Sequence, residues 1–250
     1  MANPDKDAAF SYLQKDELHH ADMLENLKKN HAELIAATPQ GVALFSPTDR
    51  TCFLSARSAQ AAANLMRDMP KFDLLVAHQQ SYVEDFLEKF NLDFGITVYQ
   101  SVYTAGEPLA LANPSLVIRL LNEAYLDLLA RHYTFVSEDY IAERLGAGAM
   151  WGGFLEGELA GTIGIHTEGS LGLLRTLPVY RRGQVASTLV AYLVNQYLAN
   201  GLLPFGQVEP KNKASIALQE QLGFTLSRKK LYWLESKAPE QLTLLSFANN

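Results

Sequence analysis

The chain has 250 residues, of which 48% are hydrophobic and 19% charged, and its 21 basic against 27 acidic side chains give a formal net charge of −6. That length accommodates one large domain or two of ordinary size, the acidic balance excludes a broad basic face for nucleic acid, and no uninterrupted apolar run is long enough to span a membrane. The single cysteine, Cys52, excludes an internal disulfide and a cysteine-rich metal site, and within Thr51-Cys-Phe-Leu54 it reads as a buried core thiol.

The start, Met1-Ala-Asn-Pro-Asp-Lys-Asp, is polar with no apolar stretch behind it, so no signal peptide and a cytoplasmic location are expected. From Asp5 to about Ala37, Leu24, Leu27, Leu34 and Ile35 recur at helical spacing up to the break Thr38-Pro39-Gln40-Gly41. His19, His20 and His31 fall in this stretch without the further ligands a metal site needs, and solvated histidines are expected. Val42–Phe45 and Thr51–Leu54, separated by Ser46-Pro-Thr-Asp49, have the pattern of a β-hairpin. A helix over 59–69, a strand over 72–77, a helix over 82–90 and a strand over 96–103 follow, so the first half alternates α and β. It carries no Gly-rich phosphate loop.

Gly106-Glu-Pro and Ala112-Asn-Pro114 interrupt the periodicity twice, and the boundary is placed here, giving domains over 1–105 and 106–250. Val117, Leu120, Leu121, Ala124, Tyr125, Leu128 and Leu129 then predict one helix opened by Pro114. Ser137 predicts the cap of a shorter helix ending before Gly146. Residues 149–155 and 159–165 predict an antiparallel hairpin turning at Glu156-Gly-Glu158, and His166-Thr-Glu-Gly169 leads out of it. A strand over 205–209, a short helix over 212–222 and a strand over 231–234 complete the chain.

The stretch between those elements carries the clearest chemistry. Leu171–Leu177 reads as a buried strand, Pro178 opens a turn, Arg181, Arg182 and Gly183 make a basic loop, and a helix runs from Ser187 to Asn200. Strand, loop and helix start in that order present free backbone N–H groups and the positive end of a helix dipole to an anionic phosphate. Arg181 and Arg182 add charge at the same place.

Thr176-Leu-Pro-Val-Tyr-Arg-Arg, Val208-Glu-Pro-Lys-Asn212, Ser215 and Leu222-Gly-Phe224, in that order, resemble the GNAT superfamily of acyl-CoA-dependent N-acyltransferases, nearest the glycine N-acyltransferase-like branch. The likeness covers about residues 113–236. It implies an α/β (α+β) fold whose mixed, mostly antiparallel sheet splays open and is flanked by helices, with two GNAT-like halves in tandem, the first degenerate. It implies acetyl-CoA or another acyl-CoA as co-substrate, with the pantetheine arm bonded to backbone near Leu177 and the pyrophosphate on the loop formed by Arg181, Arg182, Gly183, Gln184, Val185, Ala186 and Ser187. Asn212 and Ser215 match positions near the cofactor. Here Gln184 stands at the family's central Gly and the glycine has moved to Gly183.

Acyl transfer to an amine needs a group that removes a proton from nitrogen and one that protonates the departing thiolate. The family's common Glu and Tyr are matched here by Ser170 and Gln219. Glu168, two residues before Ser170, shares its face if the strand begins early, and Glu209 stands at the end of the opposite strand. Glu168, Glu209 and Ser170 are the candidate catalytic residues, with His166 a weaker third base and Tyr232 an unsupported thiol donor. Tyr99, Tyr103 and His78 are candidates for the acceptor pocket, although core or surface places fit them better.

The expected function is transfer of an acetyl or short acyl group from CoA to a primary amine by direct attack. No metal, nucleic acid or membrane partner is expected. The acceptor is open among a small amine, an amino acid, an antibiotic and a peptide N-terminus. Two other readings stand beside it: an acyl-CoA-binding regulatory module without catalysis, and a scaffold that binds no CoA.

Overall fold

In the computed structural model, residues 5–133 and 136–237 are described. The chain divides into two compact units. Among the described residues, the first comprises 5–101, 208–213 and 226–237, and the second 102–133, 136–207 and 214–225. Early in the chain the division falls between residues 101 and 102, and two later segments belong to the first unit.

The first unit opens with helix α1 (Lys6–Leu13), whose N-cap Asp5 accepts from Asp7 and Ala8 N–H, and α2 (Ala21–Lys28). The expected continuation of this helix to residue 37 is incorrect. Asn30 turns into the left-handed region at φ 55°, and Leu34 and Ile35 lie in β1 (Glu33–Thr38), paired antiparallel with β2 (Gly41–Ser46). Their β-branched and apolar side chains suit a strand once a partner is present. The chain continues through β3 (Thr51–Ala56), α3 (Ala59–Leu65), β4 (Leu74–Ala77), α4 (Val83–Lys89) and β5 (Leu92–Tyr103).

In the second unit β6 (Val117–Leu120) precedes α5 (Leu126–Ala130), α6 (Glu138–Gly146), β7 (Met150–Leu155), β8 (Glu158–Ile165) and β9 (Leu171–Thr176). Then come α7 (Val185–Ala199), β10 (Phe205–Val208), α8 (Lys213–Gln221) and β11 (Phe224–Ser236). The single helix expected from Pro114 is not formed. Val117–Leu120 pairs instead with Trp151–Phe154 of β7, and the Asn122 side chain accepts from Ala124 N–H to start a new turn. The open edge of β7 offers backbone partners that outweigh an amphipathic pattern.

Strands of the first unit lie in the order β1-β2-β3-β4-β11-β5, and those of the second in the order β10-β9-β8-β7-β6. β11 pairs antiparallel with β4 from Tyr232↔Ala77 to Glu235↔Leu74, which returns 226–237 to the first unit. The second core gathers on α7, where Leu189, Leu193 and Val194 are fully buried with Ile163 and Tyr197. Each such aliphatic side chain contributes about 1.5–3 kcal/mol of transfer free energy.

A polar cluster is buried in the first unit, which corrects the expectation that His19 and His20 are solvated. Both are 5% exposed or less, and His20 meets Ser55 of β3. His20 Nδ1 donates to Leu13 O at 2.9 Å and Nε2 accepts from Ser55 Oγ at 2.9 Å. His19 Nε2 donates to His78 O at 2.8 Å. The ring nitrogens of His78 face two acceptors, Asp22 Oδ1 at 3.0 Å and Leu54 O at 3.3 Å. Burial, then repulsion from His78, lowers His19 to about 4 and His20 to about 3. Burial opposes ionisation of Asp22, yet the charge and hydrogen bond of His78 hold its carboxyl below the ordinary value. Cys52 is buried as expected.

Candidate functional site

The parallel pair β9–β10 sets the site. Leu171↔Gly206 is its one paired position, and from there the strands part. Gly206 is required at the apex, where an added Cβ would stand 2.9 Å from Leu171 O. Beyond it the backbone of β9 lacks a β10 partner. Leu177 itself does not offer backbone to a ligand: its N–H donates to Ala160 O and its C=O accepts from Tyr180 N–H, each at 2.9 Å. Alternation along the strand turns the backbone of Thr176 toward the open side instead. Thr176 Oγ1 is also buried without a hydrogen-bond partner.

A β-bulge lies on the same strand. The β8–β9 register passes from Thr162↔Arg175 to Gly164↔Gly172, so β9 holds one residue more, and Leu173 takes φ 50°. Tyr133 pins the bulge: its hydroxyl donates to Leu173 O and lies 2.6 Å from Thr162 Oγ1. Burial pushes the Tyr133 phenol up to about 12.

At the far end of β9, Pro178–Tyr180 forms a short turn and Arg181–Gln184 lead into α7. Arg182 and Gln184 are left-handed at φ 65° and 59°. Gln184 is the N-cap of α7, and no side chain caps the helix. The N–H groups of Val185, Ala186 and Ser187 in its first turn have no intrahelical acceptor, and the helix is 15 residues long. Arg181, Arg182, Gly183 and Gln184 are all exposed. Val185 is buried by its side chain, so its backbone alone is available to a ligand. The loop fits a phosphate by backbone and dipole, with guanidinium charge beside it. Its left-handed N-cap explains why glycine suits that position better than Gln184.

Ahead of β9 a tight turn collects the polar candidates. His166 N–H donates to Ser170 O and Gly169 N–H to His166 O, each at 2.9 Å, with Gly169 at φ 90°. Ser170 Oγ donates to Glu168 Oε1. This contact comes from the turn, since β9 begins at Leu171, and not from the strand alternation expected of the pair. Glu168 is 9% and Ser170 2% exposed. Tyr140 of α6 stacks on His166 with ring planes 18° apart and its hydroxyl meets Nδ1 at 2.7 Å. Burial, and then the Arg144 charge, lowers His166 to about 4, so it is neutral near pH 7 and a poor base. Burial, with Glu168 nearby, raises the Tyr140 phenol. Arg144 pairs with Glu143 and also feels Glu168, and these anions raise its guanidinium against the effect of burial. Glu168 thus faces a cation, a hydroxyl donor and a neutral imidazole–phenol pair.

The remaining candidates separate. Gln219 of α8 stands over Gly206, with Nε2 4.0 Å from where a Cβ would lie and Oε1 buried without a partner. Ser215 lies on the same helix in the second unit. Glu209 and Asn212 belong to the first unit, where Glu209 pairs with Lys211 at 2.9 Å and its carbonyl accepts from Asn212 N–H at 3.0 Å. Tyr232 is also in the first unit, with its hydroxyl donating to Gln80 Oε1 at 3.2 Å. His78 and Tyr103 are buried in the cores of their units. The bulge, Tyr133 and Tyr140 were not among the expected residues, because each acts through a partner more than 20 positions away. Among the described residues no group of three or more His, Cys, Asp or Glu could hold a metal ion, and no helix is long and apolar enough to cross a membrane.

The open parallel pair, the bulged strand and the uncapped helix define a GNAT fold. Residues 116–224 match the family model described as Acetyltransferase (GNAT) family. No curated protein matches the chain. A Drosophila protein of solved structure shares the fold at a TM-score of 0.61 and 13% identity, covering 78% of this chain and 74% of its own. A GCN5-related N-acetyltransferase from Kribbella flavida aligns at 0.56 and 11% identity, covering 89% and 96%. A GCN5-related N-acetyltransferase-like protein from Streptococcus suis aligns at 0.51 and 15% identity, covering 90% and 98%.

Proposed function

We propose that the second unit transfers an acetyl or other short acyl group from a coenzyme A thioester to a primary amine. The observation that carries this reading is the β9–β10 opening, which starts at Leu171↔Gly206, with Glu168–Ser170 just before it and the uncapped start of α7 after β9. From Leu171 to Leu177 an extended strand rises about 20 Å, which separates a reacting end from a phosphate end.

The side chains divide the work along that line. The amides of Gln184, Val185, Ala186 and Ser187 and the charges of Arg181 and Arg182 hold the pyrophosphate, and the backbone and hydroxyl of Thr176 meet the pantetheine arm. The amine lone pair attacks the thioester carbonyl, forming the C–N bond as the C–S bond breaks. Its proton passes to Ser170 Oγ while the Ser170 proton passes to Glu168, which is already its acceptor. The Gln219 amide donates a hydrogen bond to the departing thiolate, and the proton taken up by Glu168 passes through solvent to that sulfur, since Gln has no acidic proton. Glu209 and Asn212 remain candidates for base and cofactor contact, and Ser215 for cofactor contact.

The first unit is proposed as a GNAT-like half, with the tandem division near residue 105, whose parallel pair is closed. The competing reading, an acyl-CoA binder without turnover, is favoured by Ser170 and Gln219 standing where the family commonly has Glu and Tyr.

Transfer of labelled acetyl from acetyl-CoA to a broad panel of amines tests the proposal. Labelled amide that disappears in Glu168→Gln while CoA affinity is kept supports it. CoA binding with no transfer to any amine leaves the binder in its place, and no CoA binding removes both.

A further inference from the structure

Ala112-Asn-Pro114 reads in sequence as a boundary, yet Asn113 is bonded into the phosphate loop 70 positions later. Its Oδ1 accepts from Ser115 N–H at 3.0 Å, which fixes the orientation of the amide and turns Nδ2 onto Gly183 O, also at 3.0 Å. The Asn113 N–H donates to Thr188 Oγ1 at 2.9 Å, and that hydroxyl donates to Gln184 O at 2.7 Å. Ser187 Oγ donates to the same carbonyl at 3.0 Å. The segment carrying Asn113 is tied to the middle of α7 as well. Asn195 Oδ1 accepts from Leu109 N–H at 2.7 Å and its Nδ2 donates to Leu109 O at 2.9 Å.

These bonds decide where the loop's amides point. A trans peptide is planar, so its N–H points opposite to the C=O that shares it. Holding Gly183 O against Asn113 turns the Gln184 N–H away from Asn113, and holding Gln184 O against Thr188 and Ser187 turns the Val185 N–H away from them. Gln184 is left-handed at φ 59°, a conformation a non-glycine residue keeps only when its surroundings impose it.

We infer that Asn113, acting through Thr188 and the Gly183 carbonyl, is a positioning residue that fixes the phosphate-facing amides of Gln184 and Val185. The inference rests on the coenzyme reading of this loop. Asn113 touches no reacting atom, so its effect falls on the grip of the phosphate end and not on the chemical step.

The test is calorimetric titration of the full chain and its Asn113→Ala, Thr188→Val and Thr188→Ser variants with CoA. Melting by circular dichroism, and KM and kcat for acetyl-CoA, are measured alongside. Asn113→Ala and Thr188→Val are expected to bind CoA about tenfold more weakly, the loss of about one oriented hydrogen bond. Their KM should rise in the same ratio with kcat unchanged, their melting should stay within a few degrees of the parent, and Thr188→Ser should retain parental affinity. CoA affinity within twofold of the parent in both weakened variants overturns the inference. So does a loss of affinity that tracks a fall in melting temperature and extends to Thr188→Ser, which marks a merely structural role. Failure of the unsubstituted chain to bind CoA overturns the coenzyme reading itself.

Discussion

In the first unit the parallel pair β3–β4 is bonded continuously from Thr51↔Leu74 to Leu54↔Ala77, and His78 N–H donates to Leu54 O beyond it. The corresponding β9–β10 pair of the second unit meets at Leu171↔Gly206 alone. The helices between the strands differ in the same sense. Ser58 caps α3 by accepting from Ala61 N–H at 3.2 Å, and Gln79 Oε1 accepts from Ala56 N–H at 2.7 Å, whereas α7 begins without a side-chain cap. One strand–helix–strand unit keeps its parallel pair bonded and its helix capped by a side chain, and the other does neither. Backbone donors left open at a helix start and along a parted strand are available to a ligand. That contrast is why the coenzyme is proposed for the second unit.

The largest effect expected from breaking this contrast is at its reacting end. Glu168→Gln should lower turnover about 100-fold or more, the lower range for a general base, with CoA affinity within twofold, as read by steady-state kinetics and calorimetry. At the phosphate end, Arg181→Ala combined with Arg182→Ala should weaken CoA binding about tenfold at low salt and by less at high salt, because both guanidinium groups are exposed. The matching change in the first unit, Ser58→Ala, should leave CoA affinity untouched and cost about 1 kcal/mol of stability by urea unfolding.

The units also differ in response to acid. His19 and His20, lowered to about 4 and about 3 against an ordinary value of 6.5, are held neutral in the folded first unit. Their contribution is complete above pH 6.5 and is lost progressively as pH falls from 6.5 to about 4 for His19 and about 3 for His20, by a few kcal/mol in total. Asp16 with its partner Lys229, Asp22, His78, Tyr12 and Tyr82 face the same cluster and set its background. The second unit holds one such imidazole, His166. Each unit contains one tryptophan, Trp233 in the first and Trp151 in the second, so single-tryptophan variants report them separately. On acidification from pH 7 to 5 the Trp233 transition should move further toward low denaturant than the Trp151 transition, and His20→Gln should reduce the difference. The smallest effect is expected at Gln184→Gly. Relief of the left-handed backbone, less the added entropy of the unfolded chain, should stabilise by about 0.5 kcal/mol in thermal unfolding.

Local chemistry made part of this legible. Pro178, Arg181 and Arg182 before an apolar helix located the loop, and the turn at Glu156-Gly157 located the β7–β8 hairpin. The Ser137 cap of α6 was equally readable, with its Oγ accepting from Tyr140 N–H. What escaped depends on pairing between distant segments. Leu34 and Ile35 carry a helical spacing but join β2, and Val117 joins β7, because an available sheet edge outweighs local periodicity. The bulge at Leu173 exists only in the register of β9 against β8, and His19 and His20 become core residues only when β3 and the turn after β4 close over them. Glu168 and Ser170 were named from the strand period, yet the turn through Gly169 brings them together.

Amide hydrogen exchange with and without CoA tests the assignment most directly, since it reads both strand–helix–strand units in one experiment. Slowed exchange is expected at Thr176 and at 184–187, with residues 51–62 unchanged. Protection centred on residues 51–62, or none at 184–187 when CoA is bound, would contradict it.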